Sequence, residues 1–174
     1  VSDPLILTLA MDEESFAWLD GLRQAHFPDR GYRLPAHLTL FHHLPGDARA
    51  DIDARLEALC DKTAPFGMQA VKVMDFNPGA AIRVESDQLK RLRKDLAKSW
   101  SDWLTPQDQH FHSHVTVQNK VAAKDSVWAE LDAAFEPFEV TATGLLLWHY
   151  RQGPWERAAR FDFTGPQTEI RAEG

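Results

Sequence analysis

A chain of 174 residues that is 44% hydrophobic and 26% charged can bury a sizeable core, which excludes a disordered or fibrous protein. Its formal net charge of −7 excludes a surface built to coat long nucleic acid by counterion release, so a phosphorylated partner would need only a local positive spot. One cysteine, Cys60, allows no intrachain disulfide and no thiol-based zinc site, and no apolar run reaches membrane-span length, so a soluble, cytoplasmic, membrane-free protein is expected.

Leu5-Ile6-Leu7-Thr8-Leu9 behind Pro4 is too short for a helix and reads as a buried strand. Asp12 caps a helix in which Phe16, Leu19 and Leu22 recur at helical spacing to about Ala25, and Pro28-Asp29-Arg30-Gly31 is a loop. A strand from about Ala36 to Leu44 follows, closed by Pro45-Gly46. Asp47 then starts a helix whose Ile52, Leu56, Leu59 and Cys60 share one face. Phe66 to Phe76 reads as a strand ended by Asn77-Pro78-Gly79.

Ala81 to Val84 opens the second half as a short strand, and Ser86 caps a helix with Leu89, Leu92, Leu96, Trp100 and Trp103 on one side. Its other side carries Lys90, Arg91, Arg93, Lys94 and Lys98. Such a face can hold a phosphate backbone, although a solvated helix face is the commoner meaning. After Pro106 comes another strand, then a helix from about Lys124 to Phe135 with Val127, Trp128, Leu131 and Phe135 inward. Phe138 to Tyr150 is a long alternating strand, Gly153-Pro154 a turn, Ala158 to Phe163 a last strand, and Thr164 onward a polar tail.

The two halves share one order of elements: strand, helix, strand, helix, strand. Leu5 lies 32 positions before His37, and Ala81 lies 33 before His114. That agreement points to an internal duplication. The expected fold is α+β: one bilobed domain over 1–174, with pseudo-two-fold halves at about 1–77 and 78–165, a tail at 166–174, and a central cleft between two antiparallel sheets.

The third element of each half carries the chemistry. His37-Leu38-Thr39-Leu40 and His114-Val115-Thr116-Val117 each project a histidine and a threonine from one face of an apolar strand. With 8 histidines, about one His-x-Ser/Thr is expected by chance. Here there are two, at matching places, and no other histidine has Ser or Thr two residues on. Two imidazoles with ordinary pKa values of about 6.5 can divide acid and base roles at neutral pH. The adjacent hydroxyls can donate to phosphoryl oxygens as charge builds. The alternative is that both are satisfied core histidines.

The pair of His-x-Thr-x motifs resembles the signature of the 2H phosphoesterase superfamily, which includes RNA 2′,3′-cyclic phosphodiesterases, also called 2′-5′ RNA ligases. Pro35 before the first motif and Phe41 after it also fit. Ser113 stands where the family often has proline. Gln118-Asn119-Lys120 stands where some members have an arginine that assists phosphate or RNA binding. The resemblance covers the chain to about Tyr150. It implies a bilobed fold, His37, Thr39, His114 and Thr116 as catalytic residues, and hydrolysis of 2′,3′-cyclic phosphodiesters of nucleotides or RNA ends without metal or cofactor. It leaves open 2′-5′ ligation and mere binding of RNA ends. The expected partner is a small cyclic nucleotide or an RNA 3′ end, taken up by a monomer. Phe41, Trp148, Tyr150 and Trp155 are candidates to stack a base, and Arg33, Lys120 or Arg151 to supply rim charge.

A histidine-cluster metal hydrolase is the rival enzyme. His110, His112 and His114 alternate, so a regular strand would put all three on one face, with His42 or His43 completing a set.

Overall fold

The fold is that of a computed structural model, which describes residues 2–167. Seven antiparallel strands and four α-helices run in chain order. They are β1 (Leu5–Met11), α1 (Glu13–His26), β2 (Leu38–Leu44), α2 (Arg49–Asp61), β3 (Phe66–Asp75), β4 (Ala80–Glu85), α3 (Asp87–Ser99), β5 (His114–Gln118), α4 (Trp128–Ala134), β6 (Phe138–Tyr150) and β7 (Trp155–Asp162). Local chemistry places the helix starts. The Asp12 carboxylate accepts from the Ser15 amide and the Ser86 hydroxyl accepts from the Leu89 amide, each satisfying a first-turn donor. α4 is shorter than its sequence pattern suggests, because Ala123–Asp125 forms a separate 3-10 turn.

The class is α+β, but the strands form one ladder, β2-β1-β6-β3-β4-β5, rather than two sheets. The long β6 makes it continuous. Ala142 to His149 pair with β1 on one edge; on the other, Phe138 to Ala142 pair with β3 and Gly144 to Tyr150 with β7. At the changeover a side chain on Gly144 would put its Cβ 2.4 Å from the Phe161 carbonyl oxygen, so glycine is required there. The pairing crosses the division at 77/78, since β6 lies between two strands of the first half.

β2 and β5, at the two ends of the strand order, nevertheless touch, so the ladder curls until its edges face each other. Behind them Leu5, Leu7, Leu38, Leu40, Phe41, Ile52, Leu56, Ile82, Val115 and Val117 are fully buried in a single core. Thr164 and Gly165 are pinned to the end of α2 by bonds to the Cys60 and Thr63 carbonyls, so the polar tail begins later than Thr164. Residues 168–174, most of that expected tail, lie outside the described residues. Cys60 is core, as expected, and burial first, then Asp61 and Asp162, push its thiol up to about 12. Among the described residues no helix is long and apolar enough to cross a membrane.

Candidate active site

Both motif strands are irregular at the same place. In β2, Thr39 lies opposite Thr8 and Phe41 opposite Leu7, so Leu40 has no opposite number; a second slip follows before Leu44. In β5, Thr116 lies opposite Ala81 and Gln118 opposite Ala80, so Val117 has none. An extra residue in one strand of a pair reverses the alternation beyond it and re-aims the side chains that follow. The reversal decides two expectations. Strict alternation puts Phe41 beside His37 and Thr39, whereas the slip turns Phe41 into the core with no exposure and leaves it as packing rather than a stacking platform. The next residue, His42, turns outward into the cleft instead.

A cavity of about 300 Å³ lies between the facing strands, lined by His37, Thr39, His114 and Thr116 together with Leu40, His42, Gln107, His110, Phe111, His112 and Trp155. The two motifs thus share one cleft. His37 comes just before β2. Its Nδ1 is 2.7 Å from the Pro35 carbonyl oxygen, which can only accept, so Nδ1 carries the hydrogen and Nε2 keeps its lone pair. Trp155 packs against the ring, centroids 4.5 Å apart. Burial above all, then the nearby Arg23 charge, brings the His37 pKa from 6.5 to about 4; the Pro35 bond opposes this, and the other cleft imidazoles add to it.

His114 opens β5 with its ring edge-on to Phe76. Its Nδ1 is buried without a hydrogen-bond partner of normal geometry, although the His112 carbonyl close by still favours the protonated ring. Burial outweighs that carbonyl, and with the charges of His112 and His42 it holds the His114 pKa below the ordinary imidazole value.

Two buried arginines hold the motif strands in place: Arg23, not singled out from the sequence, and Arg93, expected on the basic face of its helix. Arg23 of α1, 4% exposed, donates from Nε to the Leu34 carbonyl (3.1 Å) and from a terminal nitrogen to the Thr116 carbonyl (2.8 Å), linking the approach to β2 with β5. Arg93 of α3, 5% exposed, donates to the Leu40 carbonyl (3.1 Å) and the Asp108 carbonyl (2.6 Å) and lies over the Phe41 ring. The basic face of α3 therefore loses one expected member. Arg93 serves the carbonyl of the residue that the β2 slip leaves unpaired. Both positions carried a signal: Arg23 follows Leu19, and Arg93 follows Leu89, by one helical repeat of four on the buried stripe.

Asp108, with no exposure, sits in the 3-10 turn Pro106–Gln109. Its carboxylate accepts from the amides of His42 (2.8 and 2.9 Å) and His43 (3.0 Å) and from His42 Nδ1 (3.0 Å). Burial pulls its pKa up, but these bonds prevail and hold it below the usual carboxylate range. Nothing in the sequence links residues 66 positions apart.

The expected substrate contacts divide. Arg33, Lys120 and Tyr150 line a second groove of about 280 Å³, and Trp155 is a wall of both cavities. Trp148 is a correction: it is 8% exposed, donates its Nε1 to Thr8 Oγ1 at 2.9 Å, lines neither cavity and instead supports Trp155 from behind, centroids 5.9 Å apart. Arg151 is tied to Asp3 and Glu156. Gln118 does not replace an arginine, since its amide turns inward to the Asp125 carbonyl and the Val127 amide. The premise of the metal rival fails as well. Residues 110–113 precede β5 and do not form a strand, and among the described residues no group of three His, Cys, Asp or Glu is placed to hold a metal.

A sequence model described as the 2′-5′ RNA ligase superfamily matches residues 11–154. Among solved structures, TT0787 of Thermus thermophilus is similar at 20% identity and TM-score 0.68, covering 94% of this chain and 100% of its own. E. coli LigT complexed with 3′-AMP is similar at 17% identity and TM-score 0.58, covering 94% and 99%. The complex of E. coli LigT with NADP+ gives 16%, 0.58 and the same coverage. At these identities the structures establish a shared fold. No curated protein matches.

Proposed function

The chain belongs to the 2′-5′ RNA ligase superfamily, and we propose that within it the protein is a metal-independent phosphoesterase that hydrolyses 2′,3′-cyclic phosphodiesters of nucleotides or RNA ends. The observation that carries this reading is the meeting of His37, Thr39, His114 and Thr116 in one cleft.

Hydrolysis of the cyclic ester needs a base to take a proton from water and an acid to protonate the departing ribose oxygen on the opposite side of phosphorus. His37 suits the base: its free Nε2 lone pair and its pKa of about 4 keep it neutral and able to accept at neutral pH. His114 is then the acid, and a bound phosphodiester anion between the rings favours its protonated form. As the water oxygen bonds to phosphorus, its proton passes to His37. The bond to the ribose oxygen breaks, that oxygen takes the proton from His114, and a phosphomonoester leaves. Thr39 and Thr116 supply hydroxyls for the non-bridging oxygens, where negative charge grows. With a ribose 5′-hydroxyl in place of the water, the same steps correspond to 2′-5′ ligation: its oxygen bonds to phosphorus as its proton passes to His37, and the 3′ oxygen departs with the proton of His114.

The groove past Trp155 offers an aromatic wall and, from Arg33 and Lys120, positive charge for the nucleoside part of the substrate. A mononucleotide-sized ligand accords with the 3′-AMP complex of E. coli LigT. Both motifs come from one chain, so a monomer is enough to complete the site. The test is turnover of 2′,3′-cyclic nucleotides and of oligoribonucleotides ending in a cyclic phosphate, with EDTA present. Release of a monoester supports the reading, and no turnover of any cyclic phosphate ends it.

A further inference from the structure

We propose that His42, oriented by the buried Asp108, is a third functional imidazole of this cleft and binds a non-bridging oxygen of the substrate phosphate as an imidazolium. The proposal rests on the phosphodiester reading of the cleft.

The bound anion needs a countercharge that the four motif residues supply poorly. A phosphodiester carries one negative charge and gains more in the transition state, while both threonine hydroxyls are neutral donors, His37 must be neutral to act as base, and His114 gives up its proton to the departing oxygen. Among the described residues the cavity wall holds no lysine or arginine. Beyond the motif pair, the ionisable side chains on that wall are His42, His110 and His112; Arg23, whose charge reaches His37, is not part of the wall and is committed to the Leu34 and Thr116 carbonyls. Among the described residues only His42 has a carboxylate partner, with Nδ1 3.0 Å from Asp108 Oδ1. That carboxylate is ionised and accepts only, so Nδ1 carries a hydrogen and Nε2 is the atom left for the cleft. With Nδ1 held by the carboxylate, the protonated ring donates a charge-assisted hydrogen bond from Nε2 to an anion in the cleft.

Two further features fit a built position. The slip at Leu40 re-aims β2 so that His42 shares the cleft with His37 and Thr39, as an uninterrupted strand would not allow. Asp108 then fixes the backbone of His42 and His43 as well as the ring. The titratable and charged groups around this ring are Asp108, His37, His114, His110 and His112, with Arg93 bonded to the Asp108 carbonyl. His42 lies near enough to both motif imidazoles to depress their protonation.

The experiment compares the parent with His42→Ala, His42→Lys and Asp108→Asn, using kcat/KM for a 2′,3′-cyclic nucleotide and inhibition by inorganic phosphate from about pH 5.5 to 8.5, the range in which an imidazole titrates. His42→Ala, at a side chain 43% exposed, should lower kcat/KM about 10- to 100-fold and weaken phosphate inhibition comparably, the effect of losing one charged hydrogen bond. His42→Lys, a fixed cation, should recover much of the phosphate inhibition and flatten its decline above about pH 7. Asp108→Asn, a positioning change, should move that decline to lower pH. Parental kcat/KM and inhibition in His42→Ala overturn the proposal, as does a loss that His42→Lys leaves unimproved. Failure of the parent to turn over any cyclic phosphate strikes the phosphodiesterase reading instead, so the two failures are distinguishable.

Discussion

His37 sits half-buried in the cleft as a neutral base, and that should appear in the stability of the whole fold. In the unfolded chain the ring titrates near 6.5; in the folded protein, burial and Arg23 hold it at about 4. Between these values the unfolded state binds a proton that the native state refuses. The contribution of His37 is therefore fully present above pH 6.5 and is lost as the pH falls towards 4. The gap between the two values corresponds, at about 1.36 kcal/mol per pH unit, to about 3 kcal/mol as an upper bound. The assay is urea denaturation from about pH 3.5 to 8, a window that spans both values, on the parent and on His37→Asn, whose side chain does not titrate. Carboxylates and the other histidines contribute to both curves and largely cancel in the difference. The parent should lose up to about 3 kcal/mol more than the variant across this window. Parallel curves would mean that His37 is solvated and ordinary, and the argument for it as the neutral base would fall with them.

Replacing His37 or His114 by alanine should cost about 10²–10⁴ in turnover each, and Thr39→Ala or Thr116→Ala up to about 10²–10³, with native circular dichroism retained. The double histidine variant should lose far less than the product of the singles, since the two rings act as a unit, and steady-state kinetics on one cyclic nucleotide reads all of these proteins. Arg93→Met should lower unfolding stability by about 2–4 kcal/mol, because it strips the donor from two buried carbonyls, whereas Arg91→Met on the exposed side should stay within about 0.5 kcal/mol in the same urea titration. Activity on cyclic nucleotides should survive prolonged EDTA treatment; loss on chelation with recovery on adding zinc or manganese would refute the paired-imidazole scheme.

Local pattern was enough for most elements. Asp12 and Ser86 cap the helices they were read to cap, because a side-chain oxygen three residues before an orphan amide acts within one turn. Phe138 to Tyr150 is a strand over the residues its alternation marks. The His-x-Thr pair named the family before any contact was visible, since the chemistry needs both residue types on one strand face. Tertiary structure alone decided the remainder. The basic stripe of α3 reads as solvated until Leu40 and Asp108 present carbonyls to Arg93. Phe41 faces the core rather than the cleft, and His42 the cleft, because β1 pairs with β2 one residue out of step at Leu40, and register belongs to the two strands jointly, not to either sequence. Asp108 meets His42 across 66 positions only because the ladder curls until its edge strands touch, a closure fixed by the route of β6 between β1 and β3.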